Sequence, residues 1–284
     1  MAKRIIVAND LPGIGKVALA ASLPILSACQ IETAILPTVL LSSHTGGFSQ
    51  PHIVDQTELM APFLGQWQSL ELELDGILIG YCRSKKQLTQ LEDFARKNQV
   101  PIVLDPVMGN HGRLYSGFTQ DYVLQMRHLA QSADVLIPNL TEAALLTDQA
   151  YLGGTYEEKD VAKLLHELAT LGAKKIILTG ISFEKDRIGL AYLDAREDHQ
   201  QPHYIMTSRK VGHFFGTGDI LSTLIAVAFV ENIELRDAFP VFLRFLDQAL
   251  ASTIEIDRDR KWGVFFEPHL GQLALDIQAL NERK

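Results

Sequence analysis

The sequence predicts an α/β protein in which parallel βαβ units build a doubly wound layer structure. Two patterns carry this reading: unbroken apolar runs of strand length recur as far as Gly180, and amphipathic segments of helical length separate them. A third observation permits it. With 284 residues, 47% of them hydrophobic and 21% charged, the chain can bury a sizeable core, and its composition is not that of a disordered segment.

The strands follow in order. RIIVAN (4–9) opens the chain, then TAILPTVLL (33–41), GILIGY (76–81), PIVLDP (101–106), DVLIPN (134–139) and KKIILTG (174–180). Helical segments are expected near 16–30, 56–70, 84–98, 118–132 and 157–172, so strand and helix alternate and the crossovers are right-handed. After Gly180 the pattern changes. IGLAYLD (188–194) and HYIMTS (203–208), separated by AREDHQQP, predict a hairpin with a long turn, and helices follow at about 217–232 and 235–253. No Pro-, Gly- or Ser-rich linker and no internal repeat divides the chain, so residues 1–284 are expected to form a single domain.

Charge and composition narrow the functions. A net charge of −8 argues against binding a nucleic-acid backbone, which calls for clustered Lys and Arg. Cys29 and Cys82 are too few and too far apart for a disulfide framework or a zinc site, which fits a reducing cytoplasm. The start, MAKRIIVAND, holds too short an apolar run for a signal sequence, and ILSTLIAVAFV (220–230) is too short to span a bilayer. A buried helix and a soluble protein without a membrane partner are expected there.

Ligands of open α/β sheets bind where strands end and helices begin. The polar residues at those ends are Asn9 and Asp10, SSHTGG (42–47), Tyr81, Asp105, Asn139 with Glu142, Thr179 with Gly180, and GTGD (216–219). In the first loop Gly13, Gly15 and Ala18 match the spacing of a dinucleotide site, but Glu32 precedes the second strand rather than ending it. A P-loop fails as well, because Asp10 stands where Gly is needed and Val17 where Ser or Thr is needed. Asn9 to Gly15 is therefore read as a substrate-facing turn.

GTGD has the stronger chemistry. Gly216, Thr217 and Gly218 precede an apolar helix, so their backbone can come close to an anion, and Asp219 adds a carboxylate able to accept a hydroxyl proton. The plainer account is that Thr217 or Asp219 caps the helix. Asp105 of DPVMG could meet a metal-bound water or simply begin an Asp-Pro turn. Asn139 and Glu142 have the spacing of a capping box, which alone explains both. His44 and Thr45 could hydrogen-bond an aromatic substrate or only turn the chain, and Tyr81 could stack on a ligand or pack the rim.

Taken in order, SSHTGG, DPVMG, PNLTEAALL, ILTG and GTGD resemble the ribokinase-like superfamily. Within it they resemble the branch of pyridoxal, pyridoxine and pyridoxamine kinases and their hydroxymethylpyrimidine-kinase relatives, over residues 4 to 255. The resemblance implies a three-layer αβα sandwich with a mostly parallel central sheet. It implies transfer of the γ-phosphate of ATP to a ring hydroxymethyl group, with Mg²⁺ and often a monovalent cation such as K⁺, in a homodimer. By the same resemblance Asp219 is the base and Gly216, Thr217 and Gly218 form the anion hole. Asp105, Asn139, Glu142, Thr179, Gly180 and Arg209 would serve ATP, with Asp105 and Glu142 reaching the metal through water. Asn9, Asp10, His44, Thr45 and Tyr81 would line the substrate side.

Hydroxymethylpyrimidine kinases usually carry Cys at the Asp219 position and a GSDxSGGAG first loop, whereas this chain has ANDLPGIGKV. A pyridoxal-type kinase is thus expected first, a hydroxymethylpyrimidine kinase second. A non-catalytic vitamin- or nucleotide-binding protein and an NAD-dependent dehydrogenase are the readings from other classes.

Overall fold

The computed structural model describes residues 2–257 and 259–283. The amino-terminal part comprises β1 (Arg4–Pro12), α1 (Ala18–Ala28), β2 (Glu32–Leu41), β3 (Ile53–Asp55), α2 (Thr57–Ser69) and β4 (Gly76–Ile79). Next come α3 (Lys85–Asn98), β5 (Ile102–Leu104), β6 (Gly109–Asn110), β7 (Arg113–Leu114), α4 (Gln120–Ala130) and β8 (Val135–Leu136). Then follow α5 (Leu140–Thr147), α6 (Glu158–Ala169), β9 (Lys175–Ile181), β10 (Arg187–Asp194) and β11 (His203–Ser208). The chain continues with α7 (Thr217–Val230), α8 (Leu235–Glu255), 3-10 turns at Arg260–Trp262 and Glu267–His269, and α9 (Leu270–Asn281). The class is α/β with a mostly parallel sheet flanked by helices, as the sequence predicts.

Two compact units emerge, one made of the chain up to Leu78 and from Lys210 onward, the other running from Ile79 to Arg209. In the first, strands lie in the order β4-β1-β2-β3, with β1 and β2 parallel and the short β3 antiparallel at the edge. Ile5 to Ala8 are fully buried, which is why this run is apolar without alternation. Helix α7 is buried along nearly its whole length, as its apolar sequence requires, and packs on α1, where the Ser22 and Thr223 hydroxyls meet at 2.8 Å. That contact ties the two helices together near their middles. No helix among the described residues is long and apolar enough to cross a membrane.

In the second unit the order is β5-β8-β9-β10-β11. The β5/β8 and β8/β9 pairs are parallel, and β10 with β11 forms the predicted hairpin, Leu190 opposite Ile205. Thr179 and Gly180 lie near the end of β9, as the apolar run 174–180 predicts. Two expectations change. Strand β1 runs on to Pro12, so Asn9 and Asp10 sit in a strand, at a register shift between Asn9 and Leu11, and not in the turn that follows. Helix α9 and the segment leading to it form where no element was expected; the helix buries only Leu273, Ile277 and Leu280, too sparse a stripe to stand out.

Candidate active site

Polar groups of the first unit gather around Asp219, in the first turn of α7. Gly216 is the N-cap, with φ of 90°, and a Cβ there would stand 2.4 Å from the Lys16 carbonyl oxygen. Only glycine meets both conditions. No side chain caps α7 from the N-cap, and the Asp219 N–H is met by its own carboxylate, so the Thr217 and Gly218 amides are the ones offered to a ligand. The Thr217 hydroxyl reaches the Phe214 carbonyl at 3.5 Å, and at Gly218 the space a Cβ would take is open.

The Asp219 carboxylate accepts the Ala18 N–H, the Asn9 side-chain amide and its own N–H. Burial pushes its pKa above the ordinary carboxylate value, while these hydrogen bonds and the nearby His44 ring pull the other way. Ala18 has φ of 48°, a left-handed conformation that costs alanine roughly 1 kcal/mol, and that turn aims its N–H at the carboxylate. Asp10 is 9% exposed and is pushed up to about 7, first by burial and then by the Asp219 charge. Two neighbouring carboxylates avoid ionising together. Asp10 is therefore the partner that keeps its proton up to about pH 7.

His44 is buried, and both ring nitrogens are engaged: Nδ1 accepts the Gly46 N–H at 3.1 Å and Nε2 donates to the Lys261 carbonyl at 2.5 Å. Its ring fits because position 15 is glycine; a Cβ there would fall 2.3 Å from His44 Cδ2. The glycines of the first loop thus make room for a histidine instead of a pyrophosphate. Thr45, next to His44, is exposed. Lys16 donates its N–H to the Trp262 carbonyl at 3.1 Å, pairs with Glu267 and lies over the Phe265 ring at 5.1 Å. Arg260 donates to the Val211 carbonyl at 2.8 Å. Residues 260–267 accordingly fasten the loops holding Lys16, His44 and Val211. Sequence reasoning missed this segment and Ala18 because most of their contributions come from backbone groups, which no residue type announces; the aromatic run WGVFFEP was the one visible sign.

The second unit brings together Asp105, Asn139, Glu142 and Thr179. The capping box is present: Asn139 Oδ1 accepts the Thr141 and Glu142 N–H groups, and Glu142 Oε2 accepts the Asn139 N–H at 2.8 Å. Glu142 Oε1 also accepts the Met108 N–H, at 3.2 Å. Burial first, and the Asp105 charge second, push the Glu142 carboxyl well above its ordinary range against these bonds. Asn139 bridges to Thr179, whose N–H donates to the Pro138 carbonyl at 2.9 Å, and Gly180 follows with φ of 71°. Two residues stand apart from this cluster in what they touch. Tyr81 packs on Phe118, ring centroids 5.7 Å apart, and the exposed Arg209 donates its N–H to Asp186.

The sequence profile of the phosphomethylpyrimidine kinase family matches residues 19–262. The chain belongs to that family. Its relatives include the chloroplastic thiamine biosynthetic bifunctional enzyme of Arabidopsis thaliana, 27% identical over 237 residues. That match takes in 81% of this chain and 43% of the plant enzyme, so the chain spans less than half of that relative's length. Among solved structures, the pyridoxal kinase of Lactobacillus plantarum is 37% identical with a TM-score of 0.87, covering 99% of this chain and 98% of that one. A Bacteroides thetaiotaomicron protein in a crystal form with pyridoxal is 29% identical with a TM-score of 0.90, covering 96% of each chain.

Proposed function

We propose that this member of the family is an ATP-dependent kinase that phosphorylates the 5′-hydroxymethyl group of pyridoxal, pyridoxine or pyridoxamine, with residues 1–284 acting as one kinase domain. The observation that carries the reading is a carboxylate, Asp219, held by three N–H donors beside uncapped helix amides. A base and an anion hole at one helix start are what phosphoryl transfer to an alcohol requires. The acceptor oxygen attacks the γ-phosphorus, the bond to the β–γ bridging oxygen breaks, ADP leaves, and Asp219 takes the hydroxyl proton. Amides around Gly216, Thr217 and Gly218 balance charge on the transferring group. Asn9, Asp10, His44, Thr45 and Tyr81 are assigned to the acceptor, and Asn139, Thr179, Gly180 and Arg209 to ATP.

Asp105 and Glu142 suit Mg²⁺, which supplies charge neutralisation on the phosphates when bound. Their mutual repulsion is what a divalent cation relieves. Both Glu142 oxygens already accept backbone N–H groups, which favours contact through metal-bound water. No group of three or more His, Cys, Asp or Glu among the described residues forms a metal cage, and Mg²⁺ keeps waters and phosphate oxygens in place of one. A homodimer belongs to the same proposal on the strength of the family resemblance, and a cytoplasmic location on that of the two widely spaced cysteines.

Phosphorylation of hydroxymethylpyrimidine is the second reading, favoured by the family profile and the plant thiamine enzyme. A panel of the three B6 vitamers and hydroxymethylpyrimidine with ATP and Mg²⁺ separates the two by kcat/KM. Turnover of none of them overturns both. Asp219→Asn is expected to lower kcat by roughly 10²-fold or more while leaving ATP affinity unchanged, and near-normal turnover would refute its role as base.

A further inference from the structure

We propose that Asn9 is the positioning residue of the base, holding the Asp219 carboxylate in its reactive orientation rather than contacting the acceptor. The proposal rests on the kinase reading and deepens it. Asn9 is 5% exposed, at the register shift where β1 leaves its regular pairing with β2. There the side chain is divided between two tasks. Oδ1 accepts the Asp10 N–H at 2.9 Å, which fixes the plane of the amide, and the amide nitrogen is thereby turned to donate to Asp219. An amide fixed at its oxygen and donating through its nitrogen orients a carboxylate much as a buried partner orients a catalytic imidazole.

The second fixed donor is the Ala18 N–H, from a backbone held in an unfavourable conformation. Asn9 and Ala18 approach from β1 and from the start of α1, so the carboxylate is gripped by two elements besides its own helix. The titratable groups facing it are Asp10 from β1 and His44 from the loop after β2. Burial drives Asp219 to hold a proton, and hydrogen bonds to its ionised form oppose that tendency. Asn9 supplies the side-chain share of that opposition. A substrate-binding asparagine would lack this connection.

Asn9→Asp is the discriminating variant. It keeps the oxygen that anchors the Asp10 N–H and replaces the donor to Asp219 with a second oxygen. A residue needed only to anchor the strand would be preserved by this change. Two readouts are compared with the unmodified protein: the pH dependence of kcat for the best acceptor, and the ¹³C titration of the Asp219 carboxyl, which needs no turnover. The expected result is an acid limb and a carboxyl titration both moved to higher pH by on the order of one unit, with kcat reduced more than KM changes. Asn9→Ala, measured alongside, removes the donor without adding a charge, and the same direction is expected; a shift seen in Asn9→Asp alone is charge repulsion and overturns the inference. An unchanged Asp219 titration in a folded variant overturns the inference, as does failure of both variants to fold, which would make Asn9 a structural anchor. If the unmodified protein phosphorylates no acceptor, the kinase reading itself fails; if it does and only the titration is unmoved, the Asn9 inference alone fails.

Discussion

Asp10 changes its charge close to neutrality, because burial and the Asp219 carboxylate together push it up to about 7. If it faces the acceptor, that change becomes a change in preference: a second negative charge favours an acceptor carrying an ammonium group over one carrying an aldehyde. The ratio of kcat/KM for pyridoxamine to that for pyridoxal is expected to rise several-fold between about pH 6 and about pH 8. Asp10→Asn should flatten the ratio, and a ratio equally steep in the variant would show that Asp10 does not read the acceptor. How much of the site the sequence disclosed follows from the kind of group involved. Asp219 stood out because a carboxylate beside two glycines at a helix start is a local pattern. The Asn139–Glu142 capping box was legible for the same reason, three residues apart on one turn. The two functions of Asn9 were hidden, since one partner is a residue 210 positions away and the other a backbone N–H.

At the scale of elements, the start of α7 separates two glycines that look alike in the sequence. Gly216 is required by conformation and by space; Gly218 has no neighbour where a Cβ would go. Gly216→Ala is expected to destabilise the protein by more than about 1 kcal/mol, since a left-handed backbone and a contact with a carbonyl oxygen must both be relieved. Gly218→Ala should leave the melting temperature unchanged or slightly higher, as alanine favours a helix, yet lower kcat by narrowing the approach to the amides. Differential scanning calorimetry with kcat for both variants tests the assignment, and a Gly218→Ala enzyme of full activity would remove Gly218 from the anion hole. Apolar runs made the main strands legible because burial on both faces writes itself into composition. The extension of β1 beyond Asn9, over Asp10 to Pro12, was not, because polar residues in a strand next to a bulge carry a turn's signature.

For the molecule as a whole, the unusual carboxylates set a pH profile of stability. Asp10, Asp219 and Glu142 all hold their protons more tightly when folded, each chiefly because burial disfavours the anion. A carboxyl raised in this way costs nothing below its unfolded pKa and progressively destabilises the fold as pH rises towards its folded value. For Asp10 the interval from 3.8 to about 7 corresponds to about 4 kcal/mol. Asp75 and Asp194 act in the opposite sense. Burial raises them too, but hydrogen bonds and charge from Lys3 with Arg4, and from Arg196, outweigh it and hold both below the usual value. Their contribution is present above about pH 4 and is lost as pH falls further. The two groups together place the stability maximum of the ligand-free protein on the acid side of neutrality. Urea unfolding between about pH 4 and about pH 8 is expected to show stability falling as pH rises from about 4 to about 7, with Asp10→Asn flattening the fall. A wild-type profile that climbs steadily to pH 8 would mean that these carboxyls ionise without penalty, and the burial that makes Asp219 a tuned base would then have to be given up with it.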